Sequence, residues 1–210
     1  MLSGDHSVPL CDNCEKAITP LGNPRCQRCG IELISEKKTC LRCRTADYKF
    51  DSNVSLFAYS GVPKRLLAAL KFKGRRRLAP FFAERVAAAL RAGGLHGTVV
   101  VPAPPRRGRR APDAVELVAR ALERSRGLIV RRLLQRAGDV QQKSLDYEQR
   151  RDNLRGKIRL TPDAMKQALP PEVLLLDDVF TTGATLDACA RALREAGCTA
   201  VKAITLVIEE

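Results

Sequence analysis

The sequence predicts an α/β protein, a mostly parallel sheet flanked by helices, preceded by a small cysteine-rich segment. Two observations predict it. From about residue 51 onward, short apolar runs alternate with longer stretches whose apolar residues recur at helical spacing. Before that, residues 1–48 hold six of the eight cysteines in three C-x-x-C pairs, with too little apolar surface for a core of their own. The 210 residues suit one domain with a small appendage, divided as 1–48 and 49–210. A hydrophobic content of 45% excludes wholesale disorder.

Each element has a local reason. Residues 54–59 alternate loosely and read as a strand. Pro63 opens a helix over 63–73, where its missing N–H costs nothing, and Leu66, Leu67 and Leu70 form its apolar stripe. A second helix covers 78–91 and ends at Gly93 and Gly94. Residues 98–101 are a short β-branched strand stopped by Pro102, and the Pro- and Arg-rich 102–110 is a loop. Helix 112–125 carries Val115, Val118, Ala119 and Leu122 at the spacing of one buried face. Residues 128–134 read as another strand, and 137–147 as a polar connector. Strand 172–176 runs into Asp177 and Asp178. Helix 185–196 follows, with Leu186, Cys189, Ala190 and Leu193 on one face and Gly197 at its end. Residues 200–208 close as a strand.

Apolar runs such as 173–176 fall far short of the roughly 20 residues of a membrane helix, so no membrane insertion is expected. The first ten residues lack the basic and apolar regions of a secretory signal, so the chain reads as cytoplasmic. The net charge of +14 is concentrated: residues 61–160 carry 25 basic and 8 acidic residues, whereas 161–210 carry 4 and 8. Such a field attracts polyanions, namely nucleic acid, pyrophosphate or nucleotides. Aromatic residues are only 4% with no Trp, which favours phosphate binding over base stacking.

The most informative segment is VLLLDDVFTTGAT, residues 173–185. An apolar strand delivers two adjacent carboxylates to the sheet edge where open α/β sheets bind ligands. Thr181, Thr182, Gly183, Ala184 and Thr185 then lead into a helix, whose first backbone N–H groups favour an anion. The loop is therefore expected to hold a phosphate, and Asp177 and Asp178 to accept hydrogen bonds from the hydroxyls of a ribose. A plain N-capping loop would explain the threonines but not the paired acids.

This segment resembles the phosphoribosyl pyrophosphate motif of type I phosphoribosyltransferases. The resemblance implies that residues 181–185 bind the 5-phosphate, that Asp177 and Asp178 are the catalytic acids at the ribose, and that Mg2+ accompanies phosphoribosyl pyrophosphate. Two basic stretches are candidates for the opposite wall. Arg106, Arg107, Arg109 and Arg110 follow the 98–101 strand and suit pyrophosphate through their planar forks. Residues 141–156 are long and polar enough for a lid, with Lys143, Arg150 and Arg151 able to reach an anion.

Together with LLAALKFKGRRRLAPFFA, VVPAP and QKSLDYEQRRDNLRG, in that order, these pieces resemble the ComF family of competence-associated, zinc-ribbon, phosphoribosyltransferase-like proteins. The resemblance implies a link to DNA uptake, with single-stranded DNA and other competence proteins as partners. It also implies glycosyl transfer to an acceptor that the family pattern does not specify. Where members continue the arginine loop as R-R-G-F-N-Q, this chain runs Arg110-Ala-Pro-Asp113, losing an aromatic and two amides. The alternative function is a non-catalytic single-stranded nucleic-acid binding module using the basic face and the ribbon.

Two C-x-x-C pairs give the four thiolates of a structural Zn2+ site. Cys26, Cys29, Cys40 and Cys43 are the preferred set, with Gly30 suiting a zinc knuckle; Cys11 and Cys14 with Cys26 and Cys29 are the other option. Cys189 and Cys198 read as core positions, and His6 and His96 as exposed loop residues.

Overall fold

The computed structural model describes residues 10–19, 21–34, 38–95, 97–105, 113–126, 128–137 and 156–209. Two short helices, α1 (Asp12–Lys16) and α2 (Leu41–Thr45), lie in the cysteine-rich segment. The body follows as β1 (Ser52–Ala58), α3 (Gly61–Phe72), a 3-10 turn (Arg76–Leu78), α4 (Ala79–Ala92), β2 (Val99–Pro102) and α5 (Ala114–Arg126). It continues with β3 (Leu134–Arg136), β4 (Ile158–Leu160), a second 3-10 turn (Ala164–Lys166), β5 (Glu172–Phe180), α6 (Ala184–Glu195) and β6 (Ala200–Ile208).

The central sheet has the order β1-β6-β5-β2, and all three pairings are parallel. The expected mostly parallel sheet with flanking helices is what forms. Both faces are covered, so its inner strands read as continuous apolar runs rather than alternating ones. Along β5, Leu174 and Leu176 join the core beneath α3, α4 and α5, which includes Leu67, Phe82, Val86 and Leu122. Val173 and Leu175 face the opposite core, built with Leu186, Cys189 and Leu193 of α6 and with Leu134 and Ile158 of the β3–β4 hairpin. Cys189 and Cys198 are buried in that second core, as their apolar settings predict.

Two expectations are corrected. The strand over 128–134 is reduced to one parallel bridge between Val130 and Val100, after which the chain turns into the antiparallel β3–β4 pair. Val100 accepts from the Arg131 N–H and donates to the Ile129 carbonyl, and the next contact, from the Leu133 N–H to the Arg131 carbonyl at 3.1 Å, is a local turn that leaves the sheet. The strand 172–176 instead extends to Phe180. Its neighbour β6 runs on to Ile208 and keeps the backbone paired, with Asp177 opposite Thr205 and Val179 opposite Val207. The low strand preference of aspartate yields to that ladder.

The cysteine-rich segment packs against the edge strand. The Asn53 N–H donates to the Arg28 carbonyl (2.8 Å), and the Asn53 side chain donates to the Cys29 carbonyl (2.9 Å). A Cβ on Gly30 would lie 2.7 Å from the Asn53 carbonyl, and Gly30 has φ +80°, so only glycine allows this approach. The otherwise open edge of β1 is thereby partly covered. Among the described residues, no helix is long and apolar enough to cross a membrane.

Candidate functional site

The C-terminal ends of the parallel strands converge on a cleft of about 320 Å³. Tyr59 follows β1, Ala103 to Pro105 follow β2, Asp177 to Val179 lie in β5, and Glu209 follows β6. This is the position at which open α/β sheets take ligands. A smaller hollow of about 30 Å³ adjoins it, lined by Asp177 and by residues 179–186. The sequence-predicted acids and the loop Thr181–Thr185 are thus brought together.

The loop is built for a tight turn into a helix. Gly183 caps α6 with φ +78° and ψ 0°, a left-handed conformation. A Cβ there would also lie 3.0 Å from both the Phe180 and Tyr48 rings. Thr182 Oγ1 accepts from the Ala184 N–H at 3.2 Å. The first-turn amides of a helix have no intrahelical acceptor. Here Asp187 is the one whose N–H reaches back to Gly183 O, at 2.8 Å.

The two acids differ. Asp178 is ion-paired to Lys71 at 2.6 Å, both side chains being less than one-fifth exposed. Asp177 reaches the cleft surface yet is enclosed by protein atoms. Burial, and then the neighbouring Asp178 charge, push its carboxyl up to about 8. The Asp178 N–H donates to Asp177 Oδ1 at 2.8 Å, a contact that opposes the shift.

Lys71 and Arg136 supply cationic lining opposite these acids, and sequence reasoning assigned neither to the site. Lys71 had a signal: it stands four residues after buried Leu67, so it shares the inward side of α3. Arg136 Nε donates to the Pro104 carbonyl at 3.2 Å, tying β3 to the loop after β2. Asp113 caps α5, accepting from the Val115 N–H at 2.9 Å, and also lines the cleft. Arg106, Arg107, Arg109 and Arg110, and the expected lid with Lys143, Arg150 and Arg151, lie outside the described residues, as do His6 and His96.

A second centre forms on the α6 side of the sheet. The sulfurs of Cys26, Cys29, Cys40 and Cys43 all lie within 4.8 Å of one another. Cys29 Sγ and Cys40 Sγ are 3.7 Å apart. Four sulfurs at about 2.3 Å from a zinc ion in a tetrahedron would be about 3.8 Å apart, whereas a disulfide needs about 2.05 Å. The donor set and spacing therefore fit a structural zinc ion. Cys11 and Cys14 lie elsewhere: Cys14 packs with Leu10 and Ile18 against the α3–α4 core.

No family model matches the chain. Among curated proteins, it is 28% identical to "Competence protein ComFC" of Streptococcus pneumoniae over 212 residues, covering 99% of this chain and 90% of that one. It is 29% identical to "Competence protein F" of Haemophilus influenzae over 202 residues, covering 90% and 85%. Both likenesses run through the cysteine-rich segment, the sheet and the two-acid loop together, so the chain is similar over nearly its whole length to competence proteins of the ComF type.

Proposed function

We propose that this protein binds phosphoribosyl pyrophosphate, or the ribose 5-phosphate portion of a nucleotide, and serves a competence-related role in DNA uptake in the cytoplasm. The observation that carries the reading is the juxtaposition of Asp177 and Asp178 with the glycine-capped start of α6, in one cleft at the end of a parallel sheet. The loop 181–185 takes the 5-phosphate on backbone amides. Asp178 and Asp177 accept from the ribose hydroxyls. Lys71 holds the Asp178 side chain in place.

Asp113, Asp177, Asp178 and Glu209 bring more carboxyl groups to the described lining than Lys71 and Arg136 bring cations. That wall suits Mg2+ carried in with pyrophosphate, and Asp177 and Asp178 are the hard oxygen donors placed to meet it. When bound, the ion would neutralise pyrophosphate charge. Arg106, Arg107, Arg109 and Arg110 are the residues assigned to pyrophosphate. Residues 1–48 act as a zinc-stapled unit on Cys26, Cys29, Cys40 and Cys43.

Isothermal titration with phosphoribosyl pyrophosphate and Mg2+ tests the reading. Saturable binding is expected for the wild type, with at least a tenfold loss in Asp178→Asn, which removes a charge-assisted acceptor. Absence of heat in the wild type, or unchanged affinity in the variant, would sink it.

One observation favours a second activity, binding of single-stranded nucleic acid. Phe72 is 69% exposed at the end of α3, beside Lys73 and followed by exposed Arg75, Arg76 and Arg77. An exposed ring among cations is the arrangement on which single-stranded bases stack while the backbone is neutralised.

A further inference from the structure

The second knuckle of the four-cysteine centre reaches across the chain to the ligand loop. Arg42 stands between Cys40 and Cys43, so both flanks of its backbone belong to the sulfur cluster. Its guanidinium donates to the Thr181 carbonyl at 2.5 Å. Tyr48, just beyond the knuckle, donates its hydroxyl to the next carbonyl, Thr182 O, at 2.7 Å. Its ring stacks on Phe50 (4.7 Å between centroids, 23° between planes), and Phe50 meets Phe180 edge-on at 6.2 Å.

In a planar trans peptide the C=O of one residue and the N–H of the next point in opposite directions. Holding the Thr181 and Thr182 carbonyls toward Arg42 and Tyr48 therefore turns the N–H groups of Thr182 and Gly183 the other way. Neither Arg42 nor Tyr48 lines the hollow formed by residues 179–186, so those amides turn away from the ribbon and toward that side. A donor on each carbonyl also polarises the attached amide and strengthens its N–H as a donor.

We propose that Arg42 and Tyr48 are positioning residues for the ligand loop, and that through them occupation of the four-cysteine centre sets the loop's affinity for a phosphate ester. The affinity part rests on the phosphoribosyl reading above; the positioning part does not. Metal loss frees the knuckle, and with it the Arg42 anchor. The cysteine centre is then a control point on a site formed mainly by residues about 140 positions away.

The experiment uses the full-length, zinc-loaded protein with Arg42→Ala, Arg42→Lys and Tyr48→Phe, plus wild type stripped with a chelator. Two readouts are taken: 1H–15N spectra of the ligand-free protein, and titration with phosphoribosyl pyrophosphate and Mg2+. The Thr182 amide should shift or broaden in Arg42→Ala and after chelation. The Gly183 amide should do so in Tyr48→Phe, while amides of β2 and α4 stay in place and the zinc content of the variants stays at wild-type level. Affinity should fall about three- to tenfold in Tyr48→Phe and about ten- to a hundredfold in Arg42→Ala. Arg42→Lys should recover part of it. Unmoved Thr182 and Gly183 amides, or wild-type affinity in both variants and after chelation, overturn the proposal. If wild type binds no phosphoribosyl pyrophosphate, the ligand reading and the affinity part fall together, while the spectra decide the positioning role.

Discussion

At the scale of single residues, adjacent Asp177 and Asp178 sit in different surroundings. Asp178 is ion-paired to Lys71 at 2.6 Å. For Asp177, removal from water and the neighbouring Asp178 charge outweigh the opposing Lys71 charge, and its carboxyl rises to about 8. A carboxyl raised in the folded state binds its proton more tightly there than in the unfolded chain. Its contribution to stability is intact at low pH and is lost as pH climbs from about 4 toward 8. Asp177→Asn removes that loss. The variant should melt close to wild type below pH 4 and several degrees above it at pH 8.5, at about 2–4 °C per kcal/mol for a chain of this size. Thermal melts across that range check it; a difference independent of pH contradicts the assignment. Such residues were partly legible beforehand. The paired acids stand out in any reading, and Lys71 follows Leu67 by one helical turn. Arg42 and Tyr48 carried no local signal, because their partners Thr181 and Thr182 are 139 and 134 residues away.

At the scale of elements, the strand–loop–helix unit of β5 and α6 depends on one backbone conformation. Gly183 holds φ +78° with two aromatic rings 3.0 Å from where a Cβ would sit. Gly183→Ala should cost about 1–2 kcal/mol for the left-handed conformation, with ring displacement added to it. Urea unfolding would register this as a lower midpoint at an unchanged slope, and titration calorimetry as weaker phosphate-ester binding. An alanine variant as stable as wild type would mean that the turn is not held as described. Helices were read to within two residues at nearly every end, because their apolar stripes and glycine stops are local. The 128–134 run was misread because β-branched composition alone does not supply a neighbour. Only Val130 finds one, in Val100. The extension of β5 to Phe180 was missed for the converse reason, since β6 supplies the pairing.

At the scale of the whole molecule, the positive field belongs to residues 61–160, and Phe72 stands within it. Binding of single-stranded DNA should therefore be dominated by counterion release. With at least three phosphates neutralised at about −0.7 each, a plot of log affinity against log salt should fall with a slope steeper than about −2. Fluorescence anisotropy of a labelled oligonucleotide between 50 and 300 mM salt, roughly the range where this effect is large, checks it. A flat plot removes the second activity. The division of the cysteines was legible because C-x-x-C spacing is itself metal chemistry. What the ribbon touches was not, since contact between layers is decided by the assembled sheet.

The strand order also governs when the protein can assemble. Among the described strands of the central sheet β1 is made first, and its hydrogen-bonded neighbour β6 is made last, with Ser52 opposite Lys202. On the ribosome, β1 has the Arg28 carbonyl for one edge almost at once, while its other edge waits for β6, whose Lys202 stands opposite Ser52. Pairings of such long range close late and slowly. The ribbon thus acts during synthesis as a temporary guard on an unfinished sheet, and a ribosome that stalls before residue 200 leaves that sheet without its keystone.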